Sequence, residues 1–70
     1  MKLYEITELG NYIIKEVSEP SNKLSGLGII KDTKIEIIRI TKHLITFKLS
    51  MTEIFCRKDL KIEVTKNEQP

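Results

Sequence analysis

Between Ile45 and Met51 the chain alternates without a fault: Ile45, Phe47, Leu49 and Met51 are apolar, and Thr46, Lys48 and Ser50 between them are polar. A period of two belongs to a strand with one face buried and one wet, and no helix can hold it. The rest of the composition leans the same way. The 70 residues include twelve Ile and six Thr but no Ala, which favours strands over helices. A chain of this length buries only about 60% of the surface its unfolded form exposes, enough for one core and no second domain.

Further strands follow from the same pattern. Asn11 to Val17, with Tyr12, Ile13, Ile14 and Val17, forms a first β-rich run closed by the turn-forming cluster Ser18-Glu19-Pro20-Ser21-Asn22. Leu24 and Leu27 then stand one helical turn apart, and Gly28 follows where a helix ending in the left-handed conformation takes glycine. Lys31-Asp32-Thr33 reads as a turn into Ile35 and Ile37, after which the apolar phase shifts by one to Ile38 and Ile40. Such a slip moves side chains to the opposite face unless a β-bulge or sharp bend absorbs it, so the second strand is expected to be strongly curved. After the strand at 45–50, a turn at Met51-Thr52 leads into Glu53 to Arg57, where Ile54 and Cys56 share one face and Phe55 takes the other. Lys58-Asp59 is a break, and Leu60, Ile62 and Val64 alternate as the last strand. One domain over residues 1–66 and a disordered tail at 67–70 result. Five short strands and one helical turn suggest a small barrel, which removes the exposed edges that invite aggregation.

Catalytic chemistry finds little footing. The chain has one histidine, His43, and one cysteine, Cys56. With a turn at Met51-Thr52, Cys56 lies across from Phe47 or Lys48, leaving His43 roughly 15 Å away at about 3.3 Å per residue, too far for a dyad. The simpler reading makes Cys56 a small core hydrophobe and His43 a solvated turn residue. No paired Cys or His spacing marks a metal site, and Gly26-Leu27-Gly28 lacks the rest of a phosphate loop. No cofactor is expected, although a transient Fe²⁺ contact at His43 or surface carboxylates is left open. Arg57, Lys58 and Lys61 cluster, but the net charge is only +2 and few aromatic rings remain for stacking, so nucleic acid is not an expected partner. The lone cysteine points to a reducing compartment, and the first residues lack the apolar stretch of a signal peptide, so a cytoplasmic location is expected, without membrane insertion.

The stretch from Lys23 to Ile38 carries the most information. It resembles the FeoA family, in which a helix ending in leucine-x-x-leucine-glycine precedes an apolar pair, a turn and a strand alternating Thr-x-Ile-x-Ile; Leu24, Leu27, Gly28, Thr33, Ile35 and Ile37 fall on those positions. Ile54, Arg57, Leu60, Ile62 and Val64 fit the family's apolar-x-x-Arg ending and final strand. The chain departs from the pattern at Lys31-Asp32, where the family commonly has Pro-Gly, and in the loop reduced to Lys42-His43-Leu44.

The resemblance implies a mainly β fold, a small SH3-like β-barrel of about five strands with one short inserted helix. It also implies a function without catalysis: an accessory protein of ferrous iron uptake that docks on the cytosolic G-protein part of the FeoB transporter and modulates its activity or assembly. The helix and its exit are the expected contact, with Lys23, Leu24, Leu27, Gly28 and Ile29 as its residues. A related module ends the iron-dependent repressors of the diphtheria toxin repressor type, so the alternative is a stand-alone metal-responsive regulatory module. Self-association is left open.

Overall fold

The computed structural model of the chain describes residues 1–18 and 22–67. Most of the turn cluster at 18–22 and most of the tail at 67–70 lie outside the described residues. A 3-10 turn at Leu3–Glu5 precedes strand β1 (Gly10–Val17), helix α1 (Asn22–Gly26), and strands β2 (Lys34–Ile40), β3 (Leu44–Leu49), β4 (Thr52–Arg57) and β5 (Ile62–Lys66). The five strands form one antiparallel sheet in the order β4-β3-β2-β1-β5, consistent with a small SH3-like fold.

The expected slip in β2 is present. Ile37 pairs with Phe47 and Arg39 with Thr46, so Ile38 is the extra residue of a bulge. Ile35 and Ile37 are buried before it, and Ile40 packs against the core after it. A second irregularity lies in β1, where Ile14 pairs with Val64 and Glu16 with Glu63, leaving Lys15 extra. The same shift of phase stands in the sequence, since buried Tyr12 and Ile14 are even-numbered and half-buried Val17 is odd. Extra residues on one strand bend it and increase its twist, which lets a five-stranded sheet curl around a single core.

The hairpin of β3 and β4 turns one residue earlier than its apolar pattern suggests. Leu49 pairs with Thr52, so the turn is Ser50-Met51, and Met51 is 90% exposed. Ser50 has φ +58°, the left-handed geometry that tight two-residue hairpins need at a central position. Cys56 consequently faces Ile45 rather than Phe47 or Lys48. Thr46, expected on the wet face, is buried, with Arg39 and Phe55 as its cross-strand partners. β5 starts at Ile62, two residues later than the alternation implies, because Leu60 belongs to the preceding turn, where its N–H donates to the Arg57 carbonyl. At its far end β5 includes Lys66, and the Asn67 N–H donates to Asn11 at 2.8 Å.

The sheet does not close, contrary to the expectation that a barrel would abolish its edges, because β4 and β5 do not pair. The outer edge of β5 is met by the start of the chain. The Val64 N–H donates to the Met1 carbonyl at 2.7 Å, and the Met1 ammonium donates to the Val64 carbonyl at 2.7 Å. Glu63 receives the Met1 ammonium at 3.0 Å and lies 3.3 Å from Lys2 Nζ. The 3-10 turn that follows drives Leu3 and Ile6 into the core, where both are buried. Leu3 and Ile6 have the same three-residue spacing as Leu24 and Leu27, but no glycine follows them to mark a helix end, so the sequence pattern does not announce this plug.

Leu3→Ala is expected to cost about 2–5 kcal/mol and Phe47→Ala about 3–5 kcal/mol, as in other packed cores; unchanged denaturation midpoints would refute the packing described. Hydrogen bonds from the Met1 ammonium and Lys2 hold the Glu63 carboxyl below its ordinary value of 4.5. A lowered folded-state value contributes stability that is present above the unfolded value and is lost as pH falls through the folded one. Glu63→Gln should therefore flatten the acid limb of the stability profile below about pH 4.5, measured by urea denaturation at a series of pH values, and an unaltered limb would show that the clamp contributes nothing.

Candidate functional site

Helix α1 is too short to persist alone, and its exit is what fixes it in place. The Gly28 N–H donates to the Ser25 carbonyl at 3.0 Å and the Ile29 N–H reaches back to the Leu24 carbonyl at 2.9 Å, the paired bonds of a Schellman ending. Gly28 sits at φ +89°, a backbone conformation that favours glycine, and a Cβ added there would lie 3.2 Å from a Leu49 methyl, which would have to give by a few tenths of an ångström. Ile29, just past the glycine, is buried, and Leu24 packs half-buried against the core. The adjoining turn carries Asp32 at φ +70°, which explains why a glycine suits that position in the related pattern.

The five expected contact residues therefore divide by role. Lys23 is exposed and Leu27 is 42% exposed, both available to a partner. Leu24 is shared between core and surface, whereas Gly28 and Ile29 shape the exit from within. Lys23, Leu24, Leu27 and Ile29 line one side of an open groove of about 450 Å³, and Ile54, Phe55, Cys56, Arg57 and Leu60 line the other. The opposite wall was missed in sequence because it lies some thirty residues downstream. An apolar Phe55 on the wet face of β4, 69% exposed, was the available signal.

The groove is apolar at its floor and basic at its rim, with Lys23 on one side and Arg57 on the other. The Arg57 guanidinium donates to Asp59 Oδ2 at 2.6 Å. Burial pushes the Cys56 thiol above its ordinary value, which disfavours the thiolate a nucleophile or soft-metal ligand requires. The earlier hairpin turn brings His43 nearer to Cys56 along the ladder than expected, with the His43 carbonyl accepting the Lys58 N–H at 3.0 Å. The two side chains still part company, since Cys56 is buried in the core and His43 is exposed at the Lys42-His43 turn. Among the described residues no three His, Cys, Asp or Glu side chains gather as a metal site, and no helix is long and apolar enough to cross a membrane.

No significant match exists among curated proteins or among solved structures. A family model described as the FeoA domain matches residues 1–66. Since the match spans nearly the whole chain, the protein belongs to the FeoA family, small accessory domains of ferrous iron transport systems rather than a known enzyme family.

Proposed function

We propose that this protein docks in the cytoplasm on the cytosolic G-protein part of a FeoB-type ferrous iron transporter and modulates its activity or assembly. The observation that carries this reading is the groove beside the α1 exit, where Leu27 stands exposed and Leu24 and Phe55 lie open to an incoming side chain. An apolar floor with a polar rim suits an interface in which a few central anchors supply most of the energy. Lys23 and Arg57 at the rim favour an acidic segment on the partner, which would speed encounter more than it deepens affinity. The Schellman hydrogen bonds from Gly28 and Ile29 tie the helix exit to α1 beside this surface.

Titrating the isotope-labelled protein with the cytosolic region of the transporter should shift the amides of residues 23–30 and 54–57 together. Leu27→Glu, at a position that is 42% exposed, should leave the fold intact and weaken binding by about tenfold or more. Absence of amide shifts in every nucleotide state of the partner would overturn the docking reading, and shifts confined to the vicinity of His43 on adding Fe²⁺ alone would favour a metal-responsive module.

A further inference from the structure

The sheet ends in two edges, which are managed differently among the described residues. Met1 and Lys2 line the outer edge of β5, while β4 pairs there with no strand but β3 and is separated from α1 by the open groove. In the β3–β4 ladder the tight turn closes on the pair Leu49 and Thr52, and the Lys58 N–H bonds the His43 carbonyl. Alternation between these points turns the peptide groups of Thr52, Ile54 and Cys56 toward β3 and those of Glu53, Phe55 and Arg57 away from it. Among the described residues the outward N–H groups of these three find no backbone partner, and of their carbonyls only that of Arg57 is engaged, by Leu60 at 3.3 Å. β4 has no bulge, no proline and no lysine, and between its charged residues Glu53 and Arg57 it carries Phe55 exposed at its middle.

Its charges are arranged symmetrically about that ring. Glu53 stands two residues before Phe55 and Arg57 two residues after, all three on one face and all three with outward peptide groups. We propose that β4 pairs antiparallel with β4 of a second copy of this chain, about a two-fold axis at Phe55, so that the sheet runs on from one copy into the other. In this register the two Phe55 peptide groups bond each other and their rings meet across the strands. Each Glu53 opposes Arg57 of the other copy, so the ion pair forms twice. Sliding the register by two residues in either direction sets charge against ring and loses this match. Arg57 can serve both contacts, because its five donors allow Asp59 to be held on one side and a second carboxylate on the other. The carboxylate of Glu53 has no ion-pair partner among the described residues. The pairing rests on the edge and its charges, independently of any transporter.

The test is sedimentation velocity on the full chain and its charge variants at concentrations from about 5 µM to about 500 µM, a range suited to small, transient interfaces. The wild type should pass from monomer to dimer as concentration rises. Glu53→Arg and Arg57→Glu, both at exposed positions, should each remain folded by circular dichroism and weaken the dimer by about tenfold or more, since each sets like charges across the axis twice. An equimolar mixture of the two variants should dimerise again, because a strand with two basic residues flanking Phe55 then faces a strand with two acidic ones, and opposite charges meet at both positions. A wild type that stays monomeric throughout, a dimer indifferent to both reversals, or a mixture that fails to associate would each overturn the proposal.

Discussion

One extra residue in the middle strand governs the shape of this protein. β2 lies between β1 and β3, so its inward residues must serve both halves of the sheet, and a regular strand cannot curve enough to do so. Ile38, unpaired between Ile37 and Arg39, resets the phase, which allows Ile35 and Ile37 to be buried before the bend and Ile40 to reach the core after it. The bulge at Lys15 does the same for β1 against β5. Between them the two bends wrap a single layer of strands around Phe47, Ile14 and Val64, all essentially inaccessible. A flat sheet of this length would have left one face of Ile side chains in water.

The bend also sets how the ends of the sheet are managed. Curling brings β5 close enough to the chain start for Met1 and Lys2 to pair with it, and the 3-10 turn then delivers Leu3 and Ile6 as a plug. At the other end the short α1 and its glycine exit stand beside β4 with no backbone hydrogen bond to its outward peptide groups among the described residues, leaving a groove there instead of a seal. Coverage at one end and exposure at the other thus come from the same curvature.

Legibility in the sequence followed physical locality. The alternation of Ile45, Phe47 and Leu49, the phase slip at Ile38 and the glycine after Leu27 are all signals carried by a few adjacent residues, and the structure bears them out. Met51 misled because an apolar residue in a tight turn continues the alternation by coincidence, and only the pairing of Leu49 with Thr52 reveals the turn at Ser50. Leu3, Ile6 and the covered edge of β5 depended on contacts with residues about sixty positions away, which no local pattern encodes. The candidate site divides likewise: Lys23, Leu24 and Leu27 were legible from the helix and its family resemblance, while Phe55, Arg57 and Leu60 became part of it only when the fold set β4 opposite α1.

That juxtaposition ties the two proposed interactions together. Phe55 and Arg57 belong to the wall of the groove and also to the free edge of β4. A partner seated over Phe55 would occupy the ring that a second copy needs at the two-fold axis, so the two associations compete for one surface. Anything that binds the monomer alone draws the equilibrium away from the dimer in proportion to its free concentration over its Kd. Self-pairing would then act as a store that shields an aggregation-prone edge and yields monomer as the partner becomes available. The charges at Glu53 and Arg57 make that store selective, because an arbitrary strand edge without the same spacing would leave both charges unmatched.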